Sequence, residues 1–422
     1  MAHLARNPAR CRTPPVQPAS LVVFVLVYLG MALGRIPGLA LDRTGVALLG
    51  AIAMVALGAL PLDEAWSTVD MPTIYLLFAL MVVSAQFRLA GFYSALVRRL
   101  VALRVSPPVL LGFVILVAGC LSAVLTNDVV CLAITPVLVA GAVRRKLDPV
   151  PFLLGLACAS NIGSAATIIG NPQNILIGQA LQLGFAGFLL DAGVPALLGL
   201  VVVWGVIASQ YGGRWYSTLE LAEDVDGPPF DRWQSGKAVA AAGLLVGVFV
   251  LGEDLPRHGV ALACAGVLLL SRRMASRDML GLVDWQLLVL FVGLFIVNGA
   301  VTRGGALQES LDTLRRVGID VSAPAWLFAS SAVLSNLVSN VPATLLLLPA
   351  ATHPWAGPIL ALSSTLAGNL FIVGSLANII VVTTAKPLGV VIGLREHART
   401  GVPVTLLTLG IAAGWLGLLA SM

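Results

Sequence analysis

Four clusters of small polar residues interrupt long apolar stretches, and their residue types suit the binding of ions. They are Leu125-Thr126-Asn127-Asp128, the stretch 161–174 with Thr167, Gly170, Asn171 and Asn174, the run Ser339-Asn340-Val341-Pro342-Ala343-Thr344, and Gly368-Asn369 with Gly374-Ser375-Leu376-Ala377-Asn378. Where a helix breaks at such a cluster, the arm that begins there presents free N–H groups and a positive dipole end that attract an anion. The arm that ends there presents free carbonyls that suit a cation. Thr126 or Asn127 can cap the arm that follows, Pro342 fits a first helical turn, glycines let the backbone unwind against an ion, and Pro172 frees a carbonyl. Asp128 stands apart, because an ionisable residue at membrane depth costs about 2.5–3.5 kcal/mol and by default marks function.

Other chemistries are poorly served. His3, His258, His353 and His397 lie at predicted loops or span ends, form no ligand pair and read as solvated interfacial residues. The five cysteines, Cys11, Cys120, Cys131, Cys158 and Cys264, show no paired spacing and read as small core hydrophobes. An intramembrane hydrolase would need a nucleophile and base at depth, yet every histidine is placed peripherally and Asp128 has no acidic partner. No nucleotide-binding motif is present, no catalytic residue is assigned and no nucleic acid is expected. The chain reads as neither an enzyme nor an ATP-driven pump.

The elements that must position these clusters follow from composition. Hydrophobic residues are 58% of 422 positions and charged residues 11%, against roughly 25% charged in soluble domains. Mean hydropathy is +0.97. A water-soluble fold is excluded, and the net charge of +5 comes from Lys and Arg in short segments between apolar runs, where they face anionic headgroups. Crossing about 30 Å of hydrocarbon takes around 20 helical residues. Ten spans are predicted near 20–36, 44–60, 72–90, 150–180, 187–209, 237–251, 258–271, 285–302, 357–385 and 402–421. The stretches 107–142 and 323–350, broken mid-way by polar clusters into arms of roughly 10 to 17 residues, read as re-entrant hairpins. Arg6, Arg10 and Arg12 precede the first apolar run, which is taken as a span and not a cleaved signal, because further spans follow at once.

Internal repetition organises the chain. Val69-Asp70 matches Val283-Asp284 and Gly91 matches Gly305, each 214 residues apart. Leu121-Ser122 matches Leu334-Ser335, Thr126-Asn127 matches Ser339-Asn340, and Pro136 matches Pro349, each 213 apart, while Gly170 and Asn174 match Gly374 and Asn378 at 204. The chain therefore divides into a tail 1–19, a first repeat 20–209, a polar linker 210–236 and a second repeat 237–422. Five crossings per half make the repeats inverted. Isolated small polar residues in membrane helices also serve close packing, but a set repeated in order reads as a site. The fold class is an all-α polytopic membrane protein with about ten spans and two re-entrant hairpins. The Lys and Arg distribution puts the N-terminus outside, with the first hairpin entering from the cytoplasm.

At the runs LTNDVVCLAITP, NIGSAATIIGNPQN, SNVPATLLLLP and GNLFIVGSLAN the sequence resembles the ion transporter superfamily. That superfamily includes arsenite permeases, sodium/proton antiporters of the NhaD type, citrate transporters and divalent anion symporters. The resemblance spans nearly the whole chain. It implies an elevator-type transporter of the inner membrane, a homodimer in the lipid bilayer with a scaffold domain and a mobile transport domain, and no cofactor beyond sodium or a proton as coupling ion. Carried over by position, Thr126, Asn127, Gly170 and Asn174 form one sodium site, and Ser339, Asn340, Gly374 and Asn378 a second. Asp128, Thr167, Asn171, Thr344 and Ser375 complete the candidate substrate and ion site. The pair Asn127-Asp128 is similar to the arsenite and sodium/proton branches, whereas Asn171 and Gln173 depart from residues common in relatives. Two mechanisms stay open. In one, a small inorganic or organic anion, a carboxylate or oxyanion, moves with sodium or protons. In the other, Asp128 alternates between a proton and sodium as an antiporter, or the chain is an arsenite efflux permease. A non-transport membrane subunit would not need two polar hairpins in inverted register.

Overall fold

The computed structural model describes residues 18–34, 38–220, 227–252 and 255–421. Among these it contains helices and no named strand, with one isolated bridge between Leu147 and Tyr216. The arginines of the N-terminal tail, Cys11 and the acidic core of the linker lie outside the described residues.

Helices α1 (Pro18–Leu33), α2 (Arg43–Ala56), α3 (Leu62–Ser67), α4 (Met71–Leu89) and α5 (Phe92–Ala102) precede the tip of the first hairpin. Helices α6 (Pro107–Val124) and α7 (Asn127–Arg144) flank it, α8 (Pro149–Ala165) and α9 (Pro172–Ala180) are the pieces of an interrupted span, and α10 (Phe185–Gln210) follows. After the linker come α11 (Arg232–Leu251), α12 (Arg257–Leu269), α13 (Ser276–Leu280), α14 (Trp285–Arg303) and α15 (Ala306–Arg316). Helices α16 (Pro324–Val338) and α17 (Asn340–Leu347) flank the tip of the second hairpin, α18 (Ala356–Ala367) and α19 (Leu376–Ala385) are a second interrupted pair, and α20 (Leu394–Ser421) ends the described chain.

The local chemistry accounts for these boundaries. Proline stands at the first or second position of α4, α6, α8, α9 and α16, where its missing N–H costs nothing. Aspartates cap several starts: Asp70 accepts from Thr73 N, Asp148 from Val150 N and Asp284 from Leu287 N. Asp231 accepts from Trp233 N and Gln234 N, so α11 begins at Arg232, five residues before the expected span.

Among the described residues, seven helices are long and apolar enough to cross a membrane. Five coincide with predicted spans, and the other two are α6 and α7, each 18 residues. The arms of the first hairpin are thus longer than the sequence reading allowed. The break is confined to Leu125 and Thr126, and both flanks stay helical to its edge. The second hairpin keeps to the expected lengths, with arms of 15 and 8 residues followed by a 3-10 turn.

The chain packs as two compact units. One comprises the chain through Val69 with Val289–Asp320, and the other Asp70–Leu288 with Val321–Met422. In the first, small residues bring α1 and α2 together: a Cβ on Gly50 would lie 2.3 Å from Val27 Cγ2, and one on Gly30 would lie 2.7 Å from Val46 Cγ1. Tyr28 donates to Asn298 Oδ1 at 3.0 Å, and Arg303 pairs with Glu64.

The larger unit holds both hairpins and both interrupted spans. Its helices also meet at small residues, and a Cβ on Gly163 of α8 would lie 2.2 Å from Gly119 O of α6. Polarity is inside out relative to a soluble protein. Leu190, Val201 and Leu270 are exposed while Asn161, Asn174, Asn369 and Asn378 are buried. Cys131, Cys158 and Cys264 are buried as expected, but Cys120 is exposed on α6.

Candidate functional site

The first break is a six-residue unwound segment, 166–171, between α8 and α9. Breaking a helix frees carbonyls that must find donors where water is scarce. Asn174 supplies them, its Nδ2 donating to Ser164 O at 3.2 Å and Thr167 O at 2.8 Å. Asn171 caps α9 by accepting from Asn174 N at 2.8 Å, and its own Nδ2 donates to Ser164 Oγ. Gly170 is required, since a Cβ there would lie 2.3 Å from Ser164 O, a backbone atom.

The tip of the first hairpin closes on this segment. Asn127 N donates to Gly170 O at 3.2 Å, and the Thr167 hydroxyl donates to Ala123 O at the end of α6. Neither Thr126 nor Asn127 caps α7 with its side chain, contrary to the sequence expectation. The Asn127 amide donates to Asn161 Oδ1 at 3.1 Å instead.

The second break repeats the cradle. Asn378 Nδ2 donates to Gly368 O at 2.9 Å and Phe371 O at 3.2 Å, the carbonyls ten and seven residues before it, as Asn174 does in the first. Asn336 Nδ2, from α16, donates to Ala367 O at 3.0 Å, and its Oδ1 sits where a Cβ on Gly374 would approach to 2.7 Å. Ser339, between α16 and α17, has φ 78° and ψ 160°, a conformation that glycine tolerates and serine does not readily adopt.

Asn161 joins the two breaks. Its Oδ1 accepts from Asn127 Nδ2 and, at 2.8 Å, from Ser375 Oγ; its Nδ2 donates to Asn369 Oδ1 at 2.9 Å and Asn378 Oδ1 at 3.1 Å. Thr365 reciprocates from α18, its Oγ1 accepting from Gln173 Nε2 at 3.1 Å and from Asn171 Nδ2. The structure therefore brings together Asn127, Thr167, Gly170, Asn171, Asn174, Ser375 and Asn378. No hydrogen bond among the described residues ties the side chains of Thr126, Asp128, Ser339, Asn340 or Thr344 into the network. Asp128 is half-buried in the first turn of α7, and no hydrogen bond or ion pair to it occurs among the described residues.

What remains unpaired is informative. Thr126 Oγ1, Asn127 Oδ1 and Asn174 Oδ1 are buried without a partner on the first side, and Asn336 Oδ1, Asn340 Oδ1 and Thr344 Oγ1 on the second. The only buried, unpaired side-chain nitrogen among the described residues is Asn369 Nδ2. Sequence reading placed Asn161 and Asn369 within the breaks without giving them roles, named Gln173 only as a departure from relatives, and passed over Asn336 and Thr365. Its reading of His397 is overturned, for His397 is 1% exposed and its Nε2 lies 3.1 Å from Asn369 O.

A family model described as citrate transporter, CitMHS, matches residues 24–359. The chain belongs to the CitMHS citrate transporter family. This CitMHS member is a multi-pass membrane transporter and not an enzyme. It is 30% identical to the silicon efflux transporter LSI3 of Oryza sativa subsp. japonica, over 94% of this chain and 96% of that one. It is also 31% identical to the inner membrane protein YbiR of Escherichia coli (strain K12), over 76% and 82% respectively. The CitMHS fold is similar to that of the Alcanivorax borkumensis YdaH transporter, with TM-score 0.59, 15% identity, and coverage of 95% of this chain and 96% of that one.

Proposed function

We propose that the chain is a secondary active transporter moving a small anion, a carboxylate or oxyanion, across the inner membrane with sodium or protons as coupling ion. The observation that carries this reading is the set of buried, unpaired oxygens beside the two helix breaks. Such atoms cost several kcal/mol each in a dry interior, and a bound cation would satisfy several at once. One sodium is held by Thr126, Asn127 and Asn174 with the second lone pair of Gly170 O. The other is held by Ser339, Asn340, Gly374 and Asn378, with Asn336 adding its free oxygen. The anion meets Asn369 Nδ2 and the N–H groups opening α7 and α19. Thr167, Asn171, Ser375 and Thr344 shape these sites.

The inverted repeats 20–209 and 237–422, re-entrant hairpins, an elevator motion and a homodimer belong to the same reading. Supporting the repeats, Gly91 and Gly305 both take left-handed φ, 66° and 75°, and each precedes an 11-residue helix. Supporting a mobile body, the breaks from both halves fall in one compact unit. Supporting the inner membrane, the bacterial relative YbiR bears that location in its name.

A second reading, a sodium/proton antiporter or an efflux permease, is favoured by Asp128, a carboxylate in the site region with no cationic partner among the described residues. The rice relative named for silicon efflux points the same way. Charge movement in proteoliposomes separates the two. Sodium and pH jumps are applied with citrate, other carboxylates, sulfate, phosphate or arsenite, to wild type and Asp128→Asn. Current that requires one anion establishes cotransport. Sodium-driven proton flux without any anion, lost in Asp128→Asn, establishes antiport and overturns the first reading.

A further inference from the structure

The unwound segment 368–375 has three carbonyls held by side chains, those of Gly368 and Phe371 by Asn378 and of Asn369 by His397, and the Ala367 carbonyl at the end of α18 is held by Asn336. Of the three side chains that do this, only His397 can change its charge. The first segment, 166–171, is held by Asn174 and the Asn127 backbone, with no ionisable group. His397 is buried, and α20 reaches the segment because residue 401 is glycine: a Cβ there would stand 2.3 Å from Asn369 O. A carbonyl only accepts, so the ring nitrogen facing it carries hydrogen in the neutral state, leaving the other nitrogen as the one that takes up a proton.

Few charges surround the ring. On α20 itself stand Arg395, Glu396 and Arg399. Tyr211, just beyond α10, donates to Glu396, and Arg214 lies near it. Asp148, at the head of α8, lies in the same electrostatic cluster, with burial holding its carboxyl above the usual range. Helix α10 adds Asp191, whereas α18 carries no Asp, Glu, Lys, Arg or His. No carboxylate hydrogen-bonds to the His397 ring among the described residues.

We propose that His397 is a positioning residue through which pH acts on the second ion site: its protonation sets a positive charge against the Asn369 carbonyl and the Asn161 amide network, weakening cation binding there and favouring the anion. The proposal rests on the ion-site reading for its effect on binding, but the proton-dependent change in the network stands apart from it. Measurements are made between about pH 4.5 and 8.

The test uses the full-length protein in nanodiscs with 15N-labelled asparagine side chains. In wild type the Asn161 and Asn369 amide signals shift with pH as one titration, while in His397→Gln, which keeps a neutral donor for the carbonyl, they stay fixed. Sodium affinity, measured with 22Na, falls about tenfold from pH 8 to about 4.5 in wild type and stays within about twofold in His397→Gln. Amide signals that ignore pH, or that titrate equally in His397→Gln, overturn the proposal. Shifting signals with no sodium binding at any pH overturn the sodium reading and leave His397 as the proton-responsive group. His397→Ala, which loses the donor, separates roles: it should melt lower than wild type, whereas His397→Gln should not.

Discussion

Replacing Asn161 by alanine removes four hydrogen bonds, two accepted and two donated, that tie the first hairpin and first interrupted span to the second. Single interhelical hydrogen bonds in membrane proteins average about 0.6 kcal/mol and reach about 1.7, while a stranded buried polar group costs about 1–3 kcal/mol. Four bonds lost together, with partners on three elements left unpaired, put the cost at about 2.5–6 kcal/mol. At about 1.4 kcal/mol per decade, the arrangement that binds ions becomes at least about 50-fold rarer. The native Cys158, buried in the same helix, reports unfolding through its reaction with a thiol-specific fluorophore. We expect its melting temperature to fall by about 5 °C or more and half-saturating sodium to rise at least about tenfold. Asn161→Asp should lose only the bonds to Asn369 and Asn378, keeping those to Asn127 and Ser375. Melting within about 1 °C of wild type, together with unchanged ion dependence, would refute the view that this amide holds the site.

Gly170→Ala should abolish flux while leaving membrane insertion intact, because its Cβ meets a backbone oxygen at 2.3 Å; full flux would show that the segment can shift at no cost. Gly374→Ala should be milder, since the obstructing atom, Asn336 Oδ1 at 2.7 Å, ends a side chain. Ser339→Gly should raise the melting temperature by relieving about 1 kcal/mol of strain at φ 78°, and a lower temperature would count against strain there. Asn174→Ala should weaken cation dependence and also slow flux, as it removes both an unpaired oxygen and the donors to Ser164 O and Thr167 O. Loss of flux with unchanged cation affinity would confine Asn174 to a structural role.

The helix breaks were legible because Asn, Gly and Pro seldom cluster inside an apolar run unless the helix there is interrupted, and because Asp with Pro marks the starts of α4 and α8, and Asn171-Pro172 that of α9, in the sequence itself. The partners of each amide were not. Asn161 and Asn369 stand 208 residues apart, and nothing in either neighbourhood specifies their contact. The expected cap of α7 failed for the same reason, since the Asn127 amide turns to Asn161 and not to its own helix. His397 was misread because Arg395, Glu396 and Arg399 make its surroundings look solvated. Burial follows from Gly401, four residues on, which allows α20 to close over a carbonyl exposed by a distant break. The arms of the first hairpin exceed the expected length because polar residues there do not end the helix: Asn127 and Asp128 both lie inside α7.

The separation of 204 residues noticed for Gly170 and Asn174 extends further in three dimensions. It relates Asn161 to Thr365, Ser164 to Gly368, Thr167 to Phe371 and Asn171 to Ser375. In each pair the two residues stand at equivalent points of the carbonyl cradle or of the link to the other break. Asn161 of α8 binds Ser375 and Asn378 of the second break, while Thr365 of α18 binds Asn171 and Gln173 of the first. Each intact helix piece thus completes the other half's broken span. Separating the breaks would strand these buried amides and hydroxyls at once, at about 1–3 kcal/mol for each, so a transport motion that left one break behind would be costly. A motion that carries both breaks as a block leaves the network whole. The asymmetry lies in what each cradle leaves free: Asn174 keeps its oxygen unpaired, whereas the Asn378 oxygen already accepts from Asn161. Each side keeps three unpaired oxygens, but only in the first does one belong to the cradle amide itself, whereas the second side, with Asn369 Nδ2 unpaired and His397 behind it, also offers a donor.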